Sequence, residues 1–224
     1  MDGTEVLFGP LLRSLPDWLR PTVVCYSIEG RNGYEDLLPK VLQVIDALPR
    51  CVVLGWSFSG PLALRVANQR PNRVRAVILC STFVRAPLPW MPPLRALLRT
   101  PVVGAMRFLR RLPLWLGRPP DDPLRRDKAI LWQRVPARTL AARARAIAAV
   151  DARQDLRDCT QPILYLAASD DTVVPPANLA EVLRERPAVQ VATIAGNHFA
   201  LYADPAAAVA AIAPFVRSLA NGIG

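Results

Sequence analysis

Short runs of apolar, largely β-branched residues alternate along this chain with longer stretches whose apolar positions recur three and four residues apart. The runs fall at 22–26, 51–56, 74–80, 163–168 and 188–194. A continuous apolar run bounded by turn residues is the signature of a strand buried on both faces, and a helical stretch joining two of them makes a βαβ unit. Leu37, Leu38, Val41, Leu42, Ile45 and Leu48 mark one such helix, opened at Gly33 and closed by Pro49. Leu62, Leu64, Val66 and Ala67 mark a second that stops near Pro71, and residues 176–186 and 205–219 carry two more. The pattern predicts an α/β fold, a doubly wound and mostly parallel sheet with helices on both faces.

The alternation breaks between residues 87 and 160, where prolines punctuate short helical pieces and no strand signal is found. Residues 1–86 and 161–224 are therefore expected to form the core, and 87–160 an inserted, arginine-rich helical cap. Charge sharpens this division. The chain carries a net +10, and residues 85–157 hold sixteen basic side chains, all arginine except Lys128, against five aspartates. The rest of the chain is close to neutral. A basic middle suits an anionic membrane surface or an acidic acyl carrier in weak contact, or simply a solvated arginine face. Residues 106–116 mix apolar and arginine side chains, which fits either adsorption at an interface or inward-facing apolar groups with arginines snorkelling outward. No nucleic-acid motif accompanies the charge, so no nucleic-acid partner is expected.

With 52% apolar and 21% charged residues over 224 positions, the chain is neither disordered nor a solvated spacer, and it can bury a large core. No run reaches the roughly 20 apolar residues of a membrane span, and the acidic start is unlike an export signal. Cys25, Cys51, Cys80 and Cys159 form no C-x-x-C pair and stand near no histidine cluster, so no metal site is expected. Three of them lie in or beside apolar runs as small hydrophobes, which points to a reducing, cytoplasmic setting.

The most specific chemistry lies where the run 51–56 meets a helix: Gly55-Trp56-Ser57-Phe58-Ser59-Gly60. A nucleophile on a sharp strand-to-helix elbow needs small residues two positions to either side, because backbone approaches backbone there. Gly55 and Ser59 fill those positions around Ser57, although Ser59 replaces the usual glycine. Moving the frame to Ser59 would put Ser57 and Pro61 where glycines belong, so Ser57 is the candidate nucleophile. A serine hydroxyl needs a base, and the single histidine, His198, follows the last predicted strand in Gly196-Asn197-His198-Phe199. The base needs an orienting carboxylate, and Asp170 and Asp171 both stand at the end of the preceding strand.

The order serine, aspartate, histidine at three strand ends resembles that of the α/β-hydrolase-fold serine hydrolases, in particular small carboxylesterases similar to the pimeloyl ester esterases. The resemblance covers nearly all of the chain outside the basic middle. Its Asp-x-x-Val-Pro segment matches Asp171-Thr172-Val173-Val174-Pro175 and so implies Asp171 as the acid. It also implies an oxyanion hole built from the Phe58 amide and a second amide in the loop after a preceding strand, here near Met1 to Gly3, with Asp2 as the donor. Trp56, Trp90, Met91 and Leu94 are expected to wall an apolar substrate pocket. The implied activity is cleavage of a small apolar carboxylic ester or thioester through an acyl-enzyme, with no cofactor and no metal. Lipases, perhydrolases and C–C hydrolases share the triad, and a catalytically inactive binding protein on the same frame is the alternative. The resembling family has a strand ahead of residue 4 that this sequence lacks. Its absence would leave a gap beside the 51–56 strand, so either the natural start lies upstream by about ten residues, which is the expectation, or the sheet closes some other way.

Overall fold

A computed structural model of the chain describes residues 3–109 and 122–221. Four strands, β1 (Cys51–Trp56), β2 (Val74–Cys80), β3 (Ile163–Ala168) and β4 (Gln190–Ile194), form one parallel sheet in the order β1-β2-β3-β4. Parallel neighbours need crossovers, which are supplied by α-helices. In chain order these are α1 (Gly9–Ser14), α2 (Tyr34–Asp46), α3 (Gly60–Gln69), α4 (Thr100–Leu109), α5 (Pro123–Arg134), α6 (Ala137–Ala149), α7 (Arg153–Asp158), α8 (Ala177–Glu185), α9 (Ala200–Ala203) and α10 (Pro205–Asn221).

Side chains alternate across the sheet. Val77, Leu79, Ile163 and Tyr165 pack with Leu37, Val41 and Ile45 of α2, Leu62 and Val66 of α3 and Val182 of α8. Ala76, Ile78, Cys80, Leu164 and Leu166 turn the other way, onto Leu11 of α1 and Ala208, Ile212 and Phe215 of α10. Two apolar layers on opposite faces of one parallel sheet are the doubly wound arrangement that the sequence predicts.

One predicted strand is not a strand. Residues 22–26 run outside the sheet, and the Tyr26 amide donates to the Gly3 carbonyl (2.8 Å). β-Branched residues favour extended backbone, but a strand also requires another backbone within about 4.8 Å. Among the described residues β1 pairs with β2 alone. Between β1 and the 22–26 segment lies a cavity of about 1490 Å³, lined by Val52, Val53 and Leu54 on one side and Thr22, Val23 and Val24 on the other. The gap expected beside β1 is thus present.

The β2–β3 connection leaves and returns at one place: Arg85 and Asp151 pair as an isolated antiparallel bridge, and the Ala152 amide donates to the Val84 carbonyl (2.6 Å). Its helix α6 is fastened inward by Arg143, which is wholly buried and donates to the Ser27 carbonyl (2.9 Å) and Asn32 Oδ1 (2.7 Å). Several other arginines of the basic stretch are paired locally, Arg153 with Asp151 and Arg157 with Glu185. Beyond its helical start, the 106–116 stretch lies outside the described residues. No helix among the described residues is long and apolar enough to cross a membrane.

Candidate active site

Because all four strands are parallel, the loops that follow them gather at one edge of the sheet, the usual ligand edge of such folds. The loop after β1 begins with Ser57, whose φ of +55° is left-handed, a conformation a side-chain-bearing residue adopts only where its surroundings hold it. Here the surroundings are identifiable. The Thr82 hydroxyl, from the loop after β2, donates to the Ser57 carbonyl (2.5 Å), and the Tyr165 hydroxyl of β3 donates to the Thr82 carbonyl (2.6 Å) while accepting from the Thr82 amide (3.1 Å). Burial raises the Tyr165 phenol well above its usual range, so it stays a donor.

The two close approaches of the elbow are made at Gly55 and Gly60. A Cβ on Gly55 would meet the Ser59 carbonyl at 2.7 Å, and one on Gly60 would meet Thr82 Oγ1 at 2.1 Å. Ser59 has an ordinary right-handed backbone (φ −83°, ψ −8°), so the position tolerates a side chain, and its hydroxyl accepts from the Tyr26 hydroxyl (2.9 Å). The irregular position in the serine motif is therefore accommodated, with glycine required one residue later.

The loops after β3 and β4 are tied to one another. The Asp170 amide donates to the Gly196 carbonyl (2.8 Å), the Gly196 amide donates to Ser169 Oγ (3.0 Å), and Gly196 itself has a φ of +117° that favours glycine. This brace sets Asp171 opposite His198. Asp171 Oδ1 accepts the amides of Val173 (2.9 Å) and Val174 (2.8 Å), which leaves Oδ2 for His198 Nδ1 at 2.8 Å. Burial opposes the carboxylate, yet the hydrogen bonds from His198, Val174 and Val173 outweigh it and hold the carboxyl below its ordinary range. An ionised Asp171 can only accept, so Nδ1 carries the proton and Nε2 is the acceptor facing Ser57 Oγ at 3.0 Å. The other aspartate, Asp170, accepts from the Ser169 hydroxyl instead (2.7 Å).

Ser57, Asp171 and His198 are thus brought together, and His198 and Asp171 are buried. Trp56 braces the histidine loop by donating its indole N–H to the His198 carbonyl (3.3 Å), and Phe199 packs edge-on against both rings. Phe58 is fully buried and stacks on Tyr34 at 4.7 Å, which fixes the backbone just after the serine. Asp2 lies outside the described residues. Trp56, Trp90 and Met91 line the cavity together with Ser57 and His198. Leu94 does not, and this corrects the expectation: it is 43% exposed in a turn that carries it away from the cavity. Trp90 is itself 52% exposed, so it stands at the rim. Sequence reasoning missed Thr82, Tyr26 and Tyr165, polar groups that meet the elbow only through the fold. Among the described residues no cluster of histidine, cysteine, aspartate or glutamate has the geometry to hold a metal ion.

The model of the alpha/beta hydrolase family matches residues 7–212. Among curated proteins the chain is 28% identical over 207 residues to a pimeloyl-[acyl-carrier protein] methyl ester esterase of Nitrosospira multiformis, spanning 86% of this chain and 78% of that one. It is 30% identical over 171 residues to the enzyme of the same name from Nitrosomonas europaea, spanning 70% and 67%. Among solved structures, a hydrolase from Oleispira antarctica superposes with a TM-score of 0.79 at 14% identity over 97% of this chain and 88% of that one. At that identity the superposition speaks for the fold alone. With a serine elbow after β1, an aspartate after β3 and a histidine after β4, and with a family model spanning nearly its whole length, the chain belongs to the alpha/beta hydrolase family.

Proposed function

We propose that this protein is a serine esterase that cleaves small apolar carboxylic esters or thioesters through an acyl-enzyme. The observation that carries the reading is the continuous chain from Asp171 Oδ2 through the His198 ring to Ser57 Oγ, with links of 2.8 and 3.0 Å. His198 Nε2 takes the Ser57 proton as Oγ attacks the ester carbonyl, while Asp171 stabilises the imidazolium that forms. The tetrahedral oxyanion is met by the Phe58 amide and by a second amide from the chain's first residues, where Gly3 and Thr4 line the same cavity as Ser57. His198 then returns its proton to the leaving alkoxide, and the alcohol departs. A water, deprotonated by the same nitrogen, attacks the acyl-enzyme and regenerates Ser57 with release of the acid.

Apolar side chains dominate the cavity, which favours an apolar acyl or alcohol group. The names of the curated relatives support a methyl ester of a medium-length acyl chain. In this reading residues 87–160 act as a cap over the pocket, and their arginine excess offers an acidic acyl carrier or an anionic membrane a weak contact. Free thiols at Cys25, Cys51, Cys80 and Cys159 suit the cytoplasm. The test is hydrolysis of short p-nitrophenyl esters together with fluorophosphonate labelling. Wild type is expected to turn over and to be labelled, and Ser57→Ala to do neither. Equal rates for the two proteins would overturn the reading.

A further inference from the structure

Between the bridge at Arg85 and the start of α4 the chain makes a series of tight turns on the outside of the molecule. Its inward anchors are few. Met91 packs against the core layer that holds α2 and α3, Val103 is buried with Leu140 and Ala141 of α6, and Arg145 of α6 donates to the Leu98 carbonyl (2.7 Å). Other apolar side chains of the stretch face out, with Trp90, Leu94, Leu97 and Val102 between 43% and 59% exposed. Nine large apolar side chains are exposed among the described residues, and these four fall within thirteen consecutive positions. Such residues scattered singly need no explanation, whereas a cluster of them marks a surface that meets something apolar.

The charge of the same stretch is one-sided. Residues 86–105 contain Arg95 and Arg99 and no acidic residue. Arg85, Arg153 and Arg157 are paired with Glu181, Asp151 and Glu185. Arg95 and Arg99 are both exposed, Arg99 donates to the Ala96 carbonyl of its own turn (3.0 Å), and neither has an ion-pair partner among the described residues. An acidic protein would answer the arginines and leave the leucines between them unmatched. An anionic bilayer answers both, with phosphates for the guanidinium groups, acyl chains for the leucines, and a headgroup layer in which tryptophan is favoured.

We infer that the face formed by residues 90–102 docks on an anionic lipid surface, with Leu94 and Leu97 entering the headgroup layer and Arg95 and Arg99 meeting lipid phosphates. Trp90 belongs both to this face and to the wall of the cavity that holds Ser57 and His198, so docking brings the cavity mouth to the bilayer. An apolar ester dissolved in the lipid then enters without crossing water. That consequence rests on the serine-esterase reading; the docking itself does not.

The experiment measures binding of the full chain to vesicles of phosphatidylcholine alone and of equal parts phosphatidylcholine and phosphatidylglycerol. Wild type is expected to bind the anionic vesicles about twentyfold more tightly, about fivefold for each arginine, and added salt should shrink the difference. Arg95→Gln/Arg99→Gln should lose the preference, and Leu94→Ser/Leu97→Ser should weaken binding to both kinds of vesicle by about tenfold. Both double substitutions fall on exposed side chains and leave the fold intact. Brominated acyl chains should quench tryptophan fluorescence in wild type and much less in Trp90→Phe. Ser57→Ala should bind as wild type does, so a failed esterase assay and a failed docking assay are told apart. No binding to the anionic vesicles at low salt, undiminished binding in either double variant, or equal quenching in Trp90→Phe would overturn the proposal. So would binding of an acidic acyl carrier protein that needs Arg95 and Arg99 but not Leu94 and Leu97, with the vesicles left unbound, since the face would then belong to a protein partner.

Discussion

The hydroxyl of Thr82 reaches across from the end of β2 to the carbonyl of Ser57, 2.5 Å away. It helps to hold a residue whose backbone is left-handed, together with the Gly60 amide, which donates to the same carbonyl. Thr82→Val keeps the shape and removes the donor. It should cost about 1 kcal/mol in stability, because the Ser57 carbonyl loses one donor and keeps the Gly60 amide. On the serine-esterase reading it should also lower kcat about tenfold or more, since Ser57 Oγ is no longer held at 3.0 Å from His198. Urea melts and ester kinetics on the same preparation check both; unaltered kcat would show that the elbow holds itself.

Adjacent positions of the elbow should differ in their effect on activity. Gly60→Ala drives a methyl group into Thr82, at 2.1 Å from Oγ1 and 2.6 Å from Cγ2. A loss of about 1–3 kcal/mol is expected, with activity falling because Thr82 must rotate away from Ser57. Ser59→Gly restores the commoner residue and loses only the hydrogen bond from Tyr26, at a cost of about 1 kcal/mol with activity retained. Ester kinetics of the two variants distinguish them, with thermal melts recording the cost of each.

The Asp171 carboxyl lies below its ordinary range in the folded protein, because its hydrogen bonds outweigh burial. In the acid range the unfolded chain therefore binds more protons at this site than the folded one, so stability rises with pH. The contribution is fully present above the unfolded value of about 3.9 and is lost as pH falls through the lower folded value. Asp171→Asn removes the titration. The stability gap between wild type and Asp171→Asn should be flat above about pH 5 and narrow below about pH 4, in denaturant melts across pH 3–7. A gap that widened on acidification would contradict the hydrogen-bonded carboxylate.

Arg143 is fully buried and joins α6 to the turn at residues 27–32, where Asn32 has a φ of +59°. Arg143→Met leaves the Ser27 carbonyl and Asn32 Oδ1 short of a donor. It should cost about 2–4 kcal/mol, a fall of roughly 5–10 °C in Tm for a protein of this size. Arg143→Lys should recover little, since one ammonium on a shorter stem does not reproduce the planar fork. Differential scanning calorimetry provides the comparison.

The grouping of Ser57, Asp171 and His198 was legible because each sits at a strand end and carries a local motif: Gly55 ahead of the serine, Val173-Val174-Pro175 after the aspartate, Gly196 before the histidine. Its supports were not. Thr82, Tyr26 and Tyr165 come from three separate elements and bear no pattern of their own, so their hydroxyls acquire meaning only once the sheet assembles. The 22–26 run failed for a related reason. Its composition reports local extension, whereas strand pairing is a property of two segments. Leu94 illustrates the limit for loops, because an apolar side chain in a proline-rich turn carries no periodicity to say which way it faces.

The strand that leads into Ser57 is one of the two edges of the sheet among the described residues: β1 has a hydrogen-bonded neighbour on one flank and open space on the other. Stiffness that a central strand ordinarily draws from both sides must here be concentrated at its tip, in the contacts made by Thr82, Tyr26 and Trp56. Under the serine-esterase reading, the alignment of Ser57 with His198 is therefore governed by a handful of terminal contacts and is insulated from slack farther down the strand.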